Sequence, residues 1–185
     1  MAKNTKTILV SIFLAFIMVT SIIGFYFGTQ GSATTIRYNG ITFTQELNGW
    51  NAKIDGQQYR FSYVPQDVEG LPFPEMALNG AVQIGLTTDI NATTKEDIAI
   101  AMFELQTILT QAGIYVAQGF TTNDTLLPKI TCADSTSTVP VIYYQYGEET
   151  NVTKEGNCVA ISSYQPYFYL SYSDLIAYKA LGVLP

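Results

Sequence analysis

The chain has 185 residues, enough for one membrane-length helix and one domain able to bury a core without metal or several disulfides. It has no histidine and only two cysteines, which excludes Ser-His-Asp and Cys-His machinery and removes the commonest zinc ligand. Beyond residue 28 it carries seven basic and 15 acidic side chains, a net charge near −8, which argues against nucleic acid as a partner.

The run Ile8 to Phe27, ILVSIFLAFIMVTSIIGFYF, holds no charged residue. At ~1.5 Å per residue it covers the ~30 Å of bilayer hydrocarbon as a helix. Its polar side chains are Ser11, Thr20 and Ser21, whose hydroxyls can bond back to the helix backbone. Lys3 and Lys6 precede it, and the next charge is Arg37, so the positive-inside rule keeps the N-terminus cytoplasmic and the remainder extracytoplasmic. Phe25, Tyr26 and Phe27 fall where an interfacial aromatic belt belongs, and membrane lipid is the implied partner of the span. A cleaved signal peptide is the alternative, with small residues at Gly31, Ser32 and Ala33. Its apolar core would run only ~7 to 15 residues, shorter than this one. Residues 1–28 thus read as cytoplasmic tip and anchor, 29–34 as linker, and 35–185 as one extracytoplasmic α+β domain.

That domain opens with two hairpin signals. Asn39-Gly40 lies between TIRY and ITFT, and Asp55-Gly56 between Trp50–Ile54 and Gln57–Tyr63. Both pairs tolerate the positive φ angles of a type I′ turn, and the period-two apolar pattern predicts an antiparallel meander with one buried face. Trp50 reads as a core residue, with ligand stacking as the alternative. Val64 to Gly80, with Pro65, Pro72 and Pro74, reads as an irregular loop. Its acids Asp67, Glu69 and Glu75 lack calcium-loop spacing.

Ala81–Thr88 reads as a strand, followed by a helix opened by Thr93 and Glu96 as a capping box. Ile98, Met102, Leu105, Leu109 and Ala112, widened by Ala101 and Ile108, form its core stripe. Ile100 and Phe103 lie off that stripe, which leaves an outer side for a second element or a partner. Gly113 ends the helix and Ile114–Phe120 returns as a strand, a βαβ-like unit. Lys129–Ala133, Val139–Tyr146 and Asn157–Ser163 read as three short strands, with Cys132 and Cys158 in the outer two. On the exported side a Cys132–Cys158 disulfide is the simplest reading. A short helix is expected from near Ser171, with Asp174 three residues on, to Leu181, and the apolar end Val183-Leu184-Pro185 should tuck against the body.

Three sequons, at Asn91, Asn123 and Asn151, fall in predicted loops and are candidate glycan sites. Eight of the 13 tyrosines lie between Tyr143 and Tyr178. They read either as strand and loop residues packed on the core or as a surface of Tyr164, Tyr167, Phe168, Tyr169 and Tyr172 around Gln165-Pro166. Such a surface would suit sugars or a protein partner.

The short basic start, single span, YNGITF hairpin, WNAKI strand, KITCADST, TKEGNCVAI and terminal DLIAYKALGVL resemble a group of archaeal single-span membrane-anchored ectodomain proteins. The resemblance implies an archaeal cell-surface setting and brings no activity with it. No GxSxG, P-loop or GxGxxG motif occurs, so no catalytic residue, metal site or cofactor is assigned. A non-catalytic surface protein serving envelope structure, adhesion or a membrane complex is the leading expectation. A pilin-like filament subunit comes next, weakened because Ile8–Phe27 contains no acid and Lys6-Thr7-Ile8 is a poor cleavage site. A carboxylate-based hydrolase or glycan binder is third.

Overall fold

The computed structural model describes residues 2–28, 34–47, 49–76, 78, 80–123 and 126–185, with backbone alone at 2–7 and 25–28. The expected linker lies outside the described residues, apart from Thr34. Two compact units result, Met1–Thr34 and Thr35–Pro185.

The first unit contains one unbroken helix, α1 (Ala2–Gly28). Its described side chains, from Ile8 to Gly24, are all exposed. Thr20 Oγ1 donates back to the carbonyls of Phe16 and Ile17, at 2.9 and 3.0 Å, as a hydroxyl in a helix is expected to do. Among the described residues no helix is long and apolar enough to cross a membrane.

The second unit is α+β. Strands β1 (Thr35–Tyr38), β2 (Ile41–Glu46), β3 (Gly49–Ile54) and β4 (Gln57–Phe61) form an antiparallel sheet in chain order. Asn39 and Gly40 take φ of +46° and +80°, and Asp55 and Gly56 take +49° and +86°, as two-residue primed turns require. Phe43, Ala52, Ile54, Tyr59 and Phe61 are buried on one face, the meander and the alternation read above. Trp50 is half-buried at the margin of this core. Pro65 opens a single helical turn, α2 (Pro65–Val68), with Pro65 and Val68 buried, inside the segment expected to be wholly irregular, because proline is pre-set for a first helical position.

Strand β5 (Gln83–Thr88), helix α3 (Lys95–Gln111) and strand β6 (Tyr115–Phe120) make the expected unit, with β5 and β6 parallel. Strands β7 (Val141–Tyr146), β8 (Asn151–Glu155) and β9 (Cys158–Ser163) complete a second sheet of order β6-β5-β7-β9-β8. Only the edge strand β8 runs antiparallel to its neighbour. Helix α4 (Pro166–Ala180) closes the chain. Helices α3 and α4 pack on each other and each touches both sheets. Phe43 and Phe61 of the meander meet Tyr178 of α4, with ring centroids 6.0 and 4.3 Å apart. The opposite face of the second sheet carries Gly85 and Gly119, over which Ile130 lies.

Several expectations are corrected. The Thr93–Glu96 capping box does not form: α3 starts one residue later behind Thr94, whose hydroxyl meets that of Tyr169 at 3.0 Å. Lys129–Ala133 is not a strand; it holds one bridge, Phe120 to Lys129, and runs into a single 3-10 turn at Cys132–Asp134. Asp134 takes both the Thr131 N–H and its hydroxyl at 2.8 Å and so favours a turn over a ladder. Strand β8 went unforeseen, although Gly156, at φ +57°, turns it into β9. Helix α4 begins at Pro166, five residues before Ser171, because proline suits the first helical position. Val183 and Leu184 are buried, as the apolar end suggested.

Candidate functional site

Strand β4 has one sheet neighbour, β3, and the stretch beyond it ends on α3. Between them runs a groove of about 630 Å³. One wall is Gln58, Tyr59, Arg60, Phe61 and Ser62, five consecutive residues. Asn51 of β3 borders it too. The opposite wall is the outer side of α3, where Ile100 and Phe103 stay 53% and 67% exposed because the core stripe turns them away from the interior. Glu104, Thr107 and Gln111 continue that wall. An adjoining hollow of about 540 Å³ shares Tyr59 and Gln111 and extends the trough toward the Asp55-Gly56 turn.

One end of the groove is pinned. Asp174 Oδ2 accepts the backbone N–H groups of Ser62 and Tyr63 at 2.9 and 2.8 Å, and the Ser62 hydroxyl donates to Glu104 Oε2 at 3.0 Å. Asp174 is buried, and among the described residues its Oδ1 has no partner. Burial pushes its carboxyl well above the usual range; the Tyr63 N–H pulls it back, and the nearby Glu104 adds to the rise. The two acids therefore clamp β4 to both helices. Asp174 is sealed from solvent, so it and Glu104 do not make a pair that could flank a substrate bond.

Cys132 and Cys158 are joined, tying the 3-10 turn to the start of β9. Asn91, Asn123 and Asn151 are all exposed. Asn151 opens β8 instead of lying in a loop, and the rest of the Asn123 triplet lies outside the described residues. The proposed tyrosine surface is divided by α4. Tyr169 and Tyr172 are turned into the core, and Phe168 is half-buried. Only Tyr164 and Tyr167, both 49% exposed, remain at the surface, bridged by Gln165 at 2.8 and 2.6 Å. The physical reason is helical period: with α4 starting at Pro166, residues three apart share the buried face. The Tyr169 hydroxyl instead bonds the Gln145 carbonyl at 3.0 Å and that of Ser163, joining the ends of β7 and β9. Among the described residues no group of three or more Cys, Asp or Glu is placed to hold a metal ion.

The groove itself escaped sequence reasoning, although the position of Ile100 and Phe103 off the core stripe was its signal. In comparisons with known proteins, no family model, curated protein or solved structure matches this chain.

Proposed function

We propose that the chain is a single-pass membrane-anchored protein whose α+β head lies on the extracytoplasmic side and acts by binding, as a surface or accessory component, without catalysis. The observation that carries the reading is α1: the uncharged run Ile8–Phe27 lies within one unbroken 27-residue helix, about 40 Å long at ~1.5 Å per residue. Lys3 and Lys6 stand on the side that the positive-inside rule assigns to the cytoplasm. The Cys132–Cys158 disulfide suits an oxidising compartment, and the exposed Asn91, Asn123 and Asn151 suit glycan attachment there. The resemblance to archaeal anchored ectodomains supplies the same setting.

The test is intact-mass spectrometry of protein taken from its native membrane, after carbonate washing, with and without reduction. A carbonate-resistant chain retaining the residues before Ile8, heavier by glycan and shifting by about two daltons on reduction, fits the proposal. Loss of the residues before Ile8 would replace it with a processed filament subunit, and loss through Ala33 with a secreted domain.

A further inference from the structure

We propose that the β4–α3 groove is a binding site for a small amphiphilic cation, a primary ammonium carried on a short apolar body, with Glu104 as its counter-ion. The inference concerns the head alone and stands or falls apart from the placement of α1.

Space decides the size of the occupant. Helix α3 approaches β4 to within 8 Å, Cα to Cα. A strand laid between them would need about 10 Å, two sheet spacings. The groove of about 630 Å³ therefore admits no further element, and its volume falls in the ~300–1,000 Å³ range of small-molecule sites.

The lining decides the body. Phe61 and Ile108 give the groove an apolar, buried base, while Ile100 and Phe103 stand exposed on its helix wall. A ligand that covers those two side chains removes apolar surface from water. Ile100 and Glu104 are one helical turn apart and Phe103 directly precedes Glu104, so both apolar side chains border the carboxylate. Beyond them the lining turns polar and neutral at Thr107, Gln111 and Gln58, which limits the apolar body to a short one.

Charge decides the head group. Glu104 is half-buried, and its Oε2 accepts the Ser62 hydroxyl at 3.0 Å, which fixes the carboxylate against the end of β4. Among the described residues no hydrogen bond reaches its Oε1. An ammonium there would pair with the carboxylate beside the Phe103 ring, whose π face also attracts a cation. The cation of the lining, Arg60, has an interaction of its own, and its Nε reaches back over β3 to within 3.6 Å of a Cβ placed on Gly49. The head is acidic as a whole, so its field draws cations in and turns anions away.

The experiment titrates the full-length protein in zwitterionic micelles with phenylpropylammonium, phenylpropanol and phenylpropionate, which share one body and differ in head group. The readout is residue-resolved amide shifts. The ammonium should shift Ser62, Ile100, Phe103 and Glu104 and bind at least tenfold more tightly than the alcohol, with the carboxylate weakest. Glu104→Gln keeps an acceptor for the Ser62 hydroxyl and removes the charge; it should bring the ammonium down to the affinity of the alcohol and leave the alcohol unchanged. Phe103→Ala should weaken ammonium and alcohol by the same factor. Partition of each probe into micelles is common to all three proteins, and if a variant misfolds, the probe series on unaltered protein still decides. The proposal is overturned if no resonance of the groove shifts, if the probes bind alike, if the carboxylate binds best, if Glu104→Gln leaves the affinity for the ammonium unchanged, or if the chain self-associates in a manner that Phe103→Ala abolishes.

Discussion

Asp174 reaches from the middle of α4 to the chain leaving β4, and its Oδ2 accepts the Tyr63 backbone N–H at 2.8 Å across 111 residues of sequence. The same oxygen takes the Ser62 N–H, so one carboxylate oxygen carries two main-chain donors. Burial is the main influence on its carboxyl, and Glu104 nearby adds a like charge. Its pKa is therefore raised in the fold, above an unfolded value of ~3.9. A raised carboxyl contributes stability that is complete below the unfolded value and is lost as pH rises through the folded one. Wild type should gain stability relative to Asp174→Asn between pH 7.5 and pH 4.5, read from thermal midpoints of both proteins. Parallel pH curves would mean that the carboxyl has an ordinary pKa. Asp174→Ala strands both donors and should cost about 2 kcal/mol or more at any pH.

On α3 the two sides of the helix predict opposite outcomes. Leu105 is fully buried and sits on the stripe with Ile98, Met102 and Leu109, whereas Phe103 is mostly exposed in the groove. Leu105→Ala should cost about 2–5 kcal/mol through lost transfer and an unfilled cavity. Phe103→Ala should stay within about 0.5 kcal/mol, as surface positions do. Urea unfolding of the two variants measures the contrast, and a large loss at Phe103 would mean that it is a packing residue.

The same contrast marks which parts of the fold were legible from residues alone. Local signals survived. Asn39-Gly40 and Asp55-Gly56 occupy φ values that few other pairs tolerate, and the α3 stripe was read residue by residue. What failed were capping and boundary assignments in which two local chemistries compete. Thr93 and Ser171 looked like helix starts, yet Pro166 starts α4, and the Ser171 hydroxyl merely bonds back to Tyr167 O at 2.9 Å. The aromatic run 164–172 read as strand or loop because tyrosine favours strands, but packing beneath α3 overrode that preference. The groove is set by the meeting of Ser62, Glu104 and Asp174, which lie 42 and 112 residues apart in the chain. No local pattern encodes that meeting.

Gly119 is required by its neighbours and not by its own backbone. A Cβ there would run into the Pro128 carbonyl oxygen and lie 2.7 and 2.9 Å from two carbons of Ile130. The segment over this face is held close, since Ile130 N–H donates to the Phe120 carbonyl at 2.9 Å and its own carbonyl takes the Thr87 hydroxyl at 2.7 Å. It cannot retreat without breaking those bonds. Gly119→Ala should cost about 1–3 kcal/mol by overpacking. Gly85→Ala, whose nearest neighbours are side-chain methyls of Val141 and Ile130 at 3.1 and 3.4 Å and not a backbone carbonyl, should cost less. Thermal midpoints that rank the two in the reverse order would show that the covering segment yields.

The disulfide governs the same segment from its other end. Cys132 and Cys158 are 26 residues apart, and the bridge ties the 3-10 turn that follows the Ile130 cover to the first residue of β9. β9 is paired on both sides, to β7 and β8, so it is a fixed post. The turn itself is held locally, by the Asp134 carboxylate on Thr131 and by the Asp134 and Ser135 N–H groups on the Thr131 and Cys132 carbonyls, and it packs against β7 and β9. Opening the bridge frees a loop of this size in the unfolded chain and removes about 3–4 kcal/mol in the chain-entropy model, a large share of the ~5–15 kcal/mol typical of a domain. Cys132→Ser with Cys158→Ser should lower the urea midpoint accordingly, and reduction of wild type should reproduce most of that loss. Hydrogen exchange locates the effect: Ile130, Asp134 and Ser135 should lose protection first, while β9 keeps its own. Early loss across β9 instead would mean that the bridge holds the sheet itself together.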